Sequence, residues 1–373
     1  MRSLPTSSRV ILLRSILGVA ILASLAASSI AAGAADAAAS RFNGSGNILI
    51  ADQFNNRVIE IDPQGNIVYQ FGKGPNDFSP ASIIGCNDAQ RVGRLTLMAG
   101  TGIPPKTVPN CADPNGCLDN RVILVDQKGR IRWQYGKFGV AGSGRNELNT
   151  PVQATRLPNG NVLITDQANE RVIEVDAAKQ IVWQYGTTGM TGAGPNQLSN
   201  PNSAQLLDNG HILIADENNN RAIEVKRNHS IVATFTAGGT VSGVAFASRL
   251  PNGDTLLTDS NNSRAVEVDR SDKVVWQYVT NAEHGSNTSP LPTRAIRLAN
   301  GNTIISDQFN HRVILVDQAG NLVTSYGSLN APGYGTQNTS QGLYGPYDAK
   351  VIGDYTGLTP PFDDDEDGDD GGN

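Results

Sequence analysis

An all-β fold is predicted by three features of the sequence: a repeated unit, turn signals inside each unit, and a matching segment near the C-terminus. The unit occurs six times, with equivalent arginines about 43 to 64 residues apart at Arg57, Arg121, Arg171, Arg221, Arg264 and Arg312. Repeats of this length that are rich in short strands are typical of radial or stacked arrays. The sequence therefore predicts a six-bladed β-propeller of four-stranded blades.

The third unit shows how the four strands are placed. Residues 152–157 form the first strand, and the Pro-Asn-Gly turn at 158–160 marks a tight hairpin into a second strand at 161–165. A polar link leads to an alternating third strand at 171–176, and a second turn leads to a fourth strand at 180–185. Four antiparallel strands in succession are the pattern of one blade.

The ring is predicted to close through its C-terminal strand. The first unit begins at Gly46 without a strand before it, whereas residues 345–352 follow the sixth unit as an extra strand. That strand has the Pro-x-x-Ala spacing that opens other units at Pro151, Pro201 and Pro292. We therefore predict that it supplies the innermost strand of blade one, which removes an unpaired edge. Deleting residues 345–357 should then destabilise the whole ring.

Two terminal segments are predicted to lie outside the propeller, which we place at residues 40–357. In residues 1–39, arginines accompany a short apolar stretch followed by small-residue sites, the layout of a secretory signal peptide. A retained anchoring helix is the alternative. Residues 358–373 carry a run of acids that should repel itself and stay disordered. We expect a secreted or periplasmic protein with no stable membrane span after signal removal.

Charge limits the classes of partner. The formal net charge is −6, and without the signal segment and the acidic run it is about −1. Nucleic-acid binding needs a basic surface, so a nucleic-acid partner is not expected. We expect a monomer that binds a protein, a peptide or a cell-surface polymer.

The three cysteines favour a disulfide over a metal site. Cys111 and Cys117 enclose a short, turn-rich loop and should be joined in an exported protein. No other Cys or His lies near them in sequence to complete a metal site. Cys86 is predicted to end a first strand near the opposite face, as a buried free thiol.

Five units share the motif Asp-x-x-Asn-x-Arg between their second and third strands. Its members are Asp52/Asn55/Arg57, Asp166/Asn169/Arg171, Asp216/Asn219/Arg221, Asp259/Asn262/Arg264 and Asp307/Asn310/Arg312. In this motif, and in the Gly-x-Gly-Pro-Asn-Gln-Leu linker at 192–198, residues 46–352 resemble NHL repeats of the bacterial secreted type. The resemblance implies a propeller, but that family includes enzymes, protein scaffolds and RNA binders.

We predict a structural role for these repeated polar residues. Charges that are partly buried must be paired, so each Asp should pair with its own Arg or with that of the next blade. Trp133, Trp183 and Trp276 occupy equivalent positions in fourth strands and should fill the wedge between blades. No metal site is predicted from these groups.

Blade two departs from the pattern and points to the binding face. Ala99 is predicted to stand where the other blades have Asp, and the turn that follows contains an insertion with Cys111, Asn115 and Cys117. In a propeller this turn lies on the same face as the long linkers between blades. Function on loops held by a rigid scaffold is the usual arrangement, so we predict binding on this loop-rich face.

Enzymatic interpretations depend on the four histidines. The amidating lyase resembles an NHL propeller whose zinc is held by three histidines, but only His284 and His311 of this chain map to the loop-rich face. The units also show a weaker resemblance to bacterial arylsulfotransferases, which implies a histidine nucleophile, for which His284 or His311 are the candidates. A binding or scaffold module is the preferred function, and transferase or lyase chemistry at the mouth of the channel is the alternative. No cofactor is predicted, and a metal ion in the channel stays open.

Overall fold

A computed structural model describes residues 42–334 and 342–362. The chain divides into two units, residues 1–44 and 45–373, and the propeller belongs to the second. The predicted signal segment and the acidic run from Asp363 onward lie outside the described residues. Six four-stranded antiparallel sheets confirm the predicted six-bladed, all-β fold.

The first three blades each run from an innermost strand to an outermost one. From the inside outward, blade 1 contains β24 (Pro346–Val351), β1 (Ile48–Asp52), β2 (Arg57–Ile61) and β3 (Ile67–Phe71). Blade 2 contains β4 (Cys86–Val92), β5 (Leu95–Ile103), β6 (Cys117–Val125) and β7 (Ile131–Gly136). Blade 3 contains β8 (Pro151–Arg156), β9 (Val162–Asp166), β10 (Arg171–Val175) and β11 (Ile181–Tyr185).

The other three blades follow the same order. Blade 4 contains β12 (Pro201–Leu206), β13 (Ile212–Asp216), β14 (Arg221–Val225) and β15 (Ile231–Phe235). Blade 5 contains β16 (Val244–Arg249), β17 (Thr255–Asp259), β18 (Arg264–Val268) and β19 (Val274–Val279). Blade 6 contains β20 (Arg294–Arg297), β21 (Thr303–Asp307), β22 (Arg312–Val316) and β23 (Leu322–Gly327). Short 3₁₀ turns lie at Gln53–Asn55, Gln167–Asn169, Glu217–Asn219 and Gln308–Asn310.

The C-terminal strand closes the ring as predicted. β24 pairs antiparallel with β1, from Ile48 opposite Val351 to Asp52 opposite Pro346. β24 also contacts the inner strands of blades 2 and 6, so the chain of neighbouring blades returns to its start. The first strand of the chain therefore has no free inner edge.

The hydrophobic core lies between blades. One cluster joins Ile59 of blade 1 to Ile304 and Val313 of blade 6, and another joins Leu97 of blade 2 to Ile173 of blade 3. Each blade is buried against its neighbours, as repeat proteins require. Trp183 and Trp276 add polar contacts, because each indole donates a hydrogen bond to a backbone oxygen of the next blade's outer hairpin.

Each Asp–Arg motif pairs within its own blade. The five arginine Nε atoms lie 2.7 to 2.9 Å from the Asp Oδ2 atoms, and all five Asp side chains are 0% exposed. Four of these carboxylates also accept a backbone N–H from the linker that follows the previous blade, as in Asn149 N to Asp166 Oδ1 at 2.8 Å and Ser199 N to Asp216 Oδ1 at 2.7 Å. The motif thus joins the turn inside a blade to the linker leading into it.

Blade 2 obtains the same carboxylate from a different strand. Gly100, not Ala99, stands opposite Arg121, and Arg121 Nε donates to Asp119 Oδ1 at 2.5 Å. Asp119 Oδ2 accepts the linker N–H of Ile84 at 2.7 Å, as the motif Asp does elsewhere. A Cβ on Gly100 would lie 2.5 Å from the Asp119 carboxyl carbon, so the glycine leaves room for the relocated acid. The prediction for Ala99 was wrong by one residue.

The two faces of the ring differ in their connections. The hairpin face carries tight turns, such as Leu157–Asn161, where Gly160 N donates to Leu157 O at 2.9 Å. The loop-rich face carries the 3₁₀ turns and the linkers between blades. Cys86 is a buried free thiol as expected, but it begins β4 at the loop-rich end, so its predicted position was wrong.

Candidate functional site

The insertion of blade 2 is held against the loop-rich face. Cys111 and Cys117 form the predicted disulfide, with Cα atoms 5.8 Å apart. Val108 and Cys111 are buried, whereas Asn115 at the tip is exposed and donates its N–H to Asp113 Oδ1 at 2.8 Å. The disulfide and one buried apolar side chain therefore fix an insertion whose other side is polar and exposed.

Beneath and beside this insertion lies an aromatic patch. We use this name for Phe54, Phe78, Phe138, Phe309, Tyr334 and Tyr344. The Phe54 and Tyr344 rings are 5.2 Å apart edge to face, and the Tyr334 and Tyr344 rings are 5.4 Å apart. Phe54 is buried, but Tyr334 is 50% exposed. The patch thus runs from the core to the solvent where connections of blades 1, 2 and 6 meet.

His311 belongs to the closure of the ring. It follows the 3₁₀ turn of blade 6 in a left-handed conformation, and its Nδ1 accepts the N–H of Gly345, which precedes β24, at 3.2 Å. Asn56 and Asn220 make the same bond to Gly85 and Gly243 at the other blade junctions. Burial lowers the pKa of His311 to about 4, so the ring is neutral and its Nδ1 is used as an acceptor.

His284 has a different setting. It is exposed in the linker between blades 5 and 6, next to Glu283, whose carboxylate pairs with Arg312 Nη1 at 2.5 Å. The two candidate histidines thus lie on the loop-rich face, but one is a surface residue and the other a blade-joining acceptor. Within the described residues, neither histidine has a neighbouring base that would activate it or a nucleophile that it could activate.

The motif carboxylates are also engaged. Burial raises the pKa of Asp307 to about 6, although Arg312 works in the opposite direction. Burial likewise raises the pKa of Asp52, Asp166 and Asp216, with their arginines and backbone N–H groups opposing it. These shifts arise from burial of paired charges, which perturbs pKa values without any catalytic role.

Arg294 fills the loop-rich end of the central channel. Its Nη1 donates to Asn202 Oδ1 at 3.1 Å and to Ala245 O at 3.3 Å, and its Nη2 donates to Val152 O at 3.3 Å. The guanidinium also lies 5.0 Å from the centre of the Tyr347 ring. One side chain of blade 6 thus contacts blades 1, 3, 4 and 5 across the axis.

A second buried cation lies further along the channel wall. Lys350 Nζ is 2.7 Å from Asp88 Oδ1 and 2.5 Å from Asp348 Oδ2. Burial raises the pKa of Asp88 to about 6 despite Lys350, and the two carboxylates outweigh burial to raise the pKa of Lys350. Both carboxylates are thus engaged by the single ammonium of Lys350. The described residues contain no cluster of three or more His, Cys, Asp or Glu suited to a metal.

In blades 1, 4 and 6 the residue after the motif Asp lines the channel mouth, which the sequence reasoning missed. Gln308 donates to Gln53 Oε1 at 2.7 Å, and Gln53 donates to Asn87 Oδ1 at 2.7 Å. At the same position of blade 4, Glu217 accepts from Asn202 at 2.9 Å. Burial raises the pKa of Glu217, opposed by Asn202 and Arg294. The sequence does contain a signal for this position. In the five motif repeats the residue after the Asp varies, whereas the Asp itself is constant.

The hairpin-face end of the channel is covered by the chain after β24. Thr359 is buried, its Oγ1 accepts from Leu206 N at 3.1 Å, and Leu358 packs against the core between blades 1 and 6. Side chains therefore occupy both ends of the channel. A ligand has better access to the surfaces of the two faces than to the channel itself. None of the helices in the described part of the chain has the length and hydrophobicity to span a bilayer.

The fold and this surface define a class: a closed six-bladed propeller with a filled channel and an aromatic loop face. No protein-family model matches the chain, and no curated protein does.

Solved structures share the fold. A crystal structure of a protein of unknown function from Bacteroides caccae has a TM-score of 0.52 and 15% identity, covering 76% of this chain and 93% of that one. A streptogramin B lyase structure has a TM-score of 0.49 and 13% identity, covering 79% and 81%. Virginiamycin B lyase from Staphylococcus aureus has a TM-score of 0.47 and 12% identity, covering 76% and 84%. At these identities the likeness concerns the propeller fold alone.

Proposed function

We propose that this protein is an NHL-like β-propeller that binds a partner on its loop-rich face. The observation that carries the proposal is the aromatic patch, which packs against Val108 and Cys111 of the disulfide-held insertion and ends in the half-exposed Tyr334. Aromatic side chains on a rigid support supply much of the energy of protein interfaces. The patch favours a protein or peptide ligand over a surface polymer among the three ligand classes expected.

The same proposal includes export and a monomeric state. The Cys111–Cys117 disulfide supports an oxidising compartment, because such bonds persist in secreted and periplasmic proteins. The repeated Asp–Asn–Arg geometry supports the assignment to NHL-like repeats. A nearly neutral propeller supports recognition through hydrogen bonds and aromatic contacts, without a nucleic-acid partner.

Transferase or lyase chemistry in the channel is the less favoured function. The imidazole of His311 is 8% exposed and already accepts a backbone N–H, and Arg294 fills the channel below the mouth. A general base or nucleophile must reach its substrate within hydrogen-bond distance. His284 is exposed, and within the described part of the chain no oriented partner is placed to activate it.

The test uses random peptides displayed on phage and selected on the mature protein, residues 40–373. Selected peptides should lose at least about tenfold in affinity, equivalent to about 1.4 kcal/mol, for the Tyr334→Ala variant. They should also bind less tightly to Cys111→Ser/Cys117→Ser, which releases the insertion. Tyr355→Ala removes a similarly exposed tyrosine from the hairpin face and is the matched control. Selection of no peptide, or of peptides sensitive to Tyr355→Ala alone, would overturn the proposal.

A further inference from the structure

Two adjoining clefts lie on the hairpin face, opposite the aromatic patch. The larger has a volume of about 860 Å³ and lies between blades 5 and 6, and the smaller has about 440 Å³ and lies between blades 4 and 5. Both are lined by Leu250, Pro251 and Thr356, so they form one groove around a shared wall. Their volumes are in the range of small-molecule and oligomer sites.

The walls of the groove repeat from blade to blade. Four inner hairpins carry the pattern Leu-x-Asn-Gly, at residues 157–160, 207–210, 250–253 and 298–301, and the last three line the groove. In each hairpin the asparagine Oδ1 accepts the N–H two residues later, which fixes the turn. The groove therefore presents the same local shape three times, one blade apart, which suits a ligand that itself repeats.

The floor of the groove carries ion pairs that are already complete. Arg297 Nη2 is 2.7 Å from Glu267 Oε2 and lies over the Trp276 ring at 4.6 Å. Arg249 Nη2 is 3.0 Å from Glu224 Oε2 in the smaller cleft. Both arginines are therefore paired and offer no free charge to an acidic ligand, whereas Asp208, which also lines the smaller cleft, is exposed.

The side of the groove nearest the central channel is formed by the segment that follows β24. Ala299 N donates to Asp354 Oδ2 at 2.8 Å, and Thr359 is bonded to Leu206, so the segment is fixed at both ends. Between these points Tyr355, Thr356 and Leu358 line the clefts. The segment turns two clefts between blades into a bounded groove.

We propose that this groove is a second binding site, for an uncharged oligosaccharide. Sugar hydroxyls both donate and accept hydrogen bonds, as do the side-chain amides of Asn300, Gln318 and Gln205 that line the groove. The C–H faces of sugar rings pack on apolar surface, which Pro251 and Val275 supply.

A peptide fits the groove less well. Strand addition needs free backbone N–H and C=O groups at an edge. In the hairpin walls, backbone groups already bond to one another within the turn, as in Leu250 N to Asp254 O at 2.9 Å and Leu298 N to Asn302 O at 2.8 Å. Recognition by the hairpin walls must therefore come from side chains, which favours hydroxyl-rich ligands.

The experiment is calorimetric titration of residues 40–373 with four neutral hexasaccharides: maltohexaose, cellohexaose, laminarihexaose and N-acetylchitohexaose. We expect at least one to bind with a Kd tighter than about 1 mM. Thr356→Trp should abolish this binding by obstructing the wall that both clefts share, and Gln318→Ala should raise Kd about two- to tenfold by removing one hydrogen bond. Ser143→Trp, on an exposed linker of the other face, is the matched control and should bind as wild type does.

Three results would overturn the assignment. They are no binding by any of the four sugars, unchanged binding by both Thr356→Trp and Gln318→Ala, and tighter binding of hexagalacturonate than of the neutral sugars. If Thr356→Trp does not fold, as judged by urea unfolding, Gln318→Ala against Ser143→Trp decides the question. The outcome is separate from the peptide test, because the two sites lie on opposite faces and use different variants.

Discussion

At five of the six junctions, one residue accepts a backbone N–H from the segment that leads into the next blade. Asn56, Asn120 and Asn220 do this with their side-chain oxygens, Glu170 with its carboxylate, and His311 with Nδ1. From the sequence, His311 drew attention as a candidate nucleophile because histidine is chemically versatile. Its position in the repeat explains it better, since the same place is held by asparagine elsewhere.

His311→Asn should therefore be tolerated and His311→Leu should not. Asparagine offers an acceptor and adopts the left-handed conformation readily, so its free energy of unfolding should stay within about 1 kcal/mol of wild type. Leucine leaves the Gly345 N–H buried without its acceptor, which costs about 1 to 3 kcal/mol. Urea unfolding of both variants measures the difference. Equal losses in the two variants would contradict the role assigned to His311.

The pH dependence of stability follows from the same residue. Burial lowers the pKa of His311 to about 4 from 6.5, so the folded protein takes up this proton less readily than the unfolded chain. The resulting stabilisation is fully present above pH 6.5 and is lost as the pH falls towards 4.

Comparison with His311→Asn isolates this effect, because the shifted carboxyls Asp88 and Asp307 are present in both proteins. Between pH 7 and pH 4 the unfolding free energy of wild type should fall by more than that of His311→Asn. Urea titrations across this window measure it. A difference that stays constant with pH would show that the imidazole is equally protonated in both states.

At the scale of the element, blade 2 shows that the carboxylate that pairs with the motif Arg can come from a different strand of the blade. The second strand of blade 2 has Gly100 at the motif position, and the third strand supplies Asp119 instead. The sequence showed that an acid was missing from the second strand. It could not show the replacement, because which residues meet across the two strands depends on their register.

Asp119→Ala should unfold blade 2 or lower the stability of the whole ring markedly. It leaves Arg121, which is 2% exposed, without its carboxylate, and breaking a buried pair costs about 3 to 5 kcal/mol. Arg130→Ala is the matched control, because it breaks an exposed pair with Asp126 and should cost less than about 1 kcal/mol. Thermal unfolding compares the two. Similar midpoints for both variants would refute the compensating role of Asp119.

At the scale of the whole molecule, much of the architecture could be predicted from the repeats. Turn signals and strand patterning indicated the blades, and the Pro-x-x-Ala spacing of residues 346–349 indicated the closure. The channel filling by Arg294 and the groove beneath Tyr355 could not be predicted. Both depend on contacts between residues of distant blades, for which local patterns carry no signal.

Closure by β24 makes the ring one cooperative unit. A chain that ends at Gly345 loses this strand, exposes the edge of β1 and uncovers the core between blades 6 and 1. It should aggregate or unfold without a sharp transition. A chain that ends at Phe362 keeps β24 and the segment after it, and should unfold as the full chain does. Cooperative unfolding of the shorter chain at an unchanged midpoint, followed by circular dichroism, would contradict closure.

The central claim is that a ring with a filled channel presents its partner site on the loop-rich face. The most direct measurement is hydrogen–deuterium exchange of residues 40–373 with and without a peptide selected on that protein. We expect slower exchange in residues 104–116 and 308–311, which surround the aromatic patch, and unchanged exchange on the hairpin face. Slower exchange confined to the hairpin face, or to the inner strands around Arg294, would contradict it.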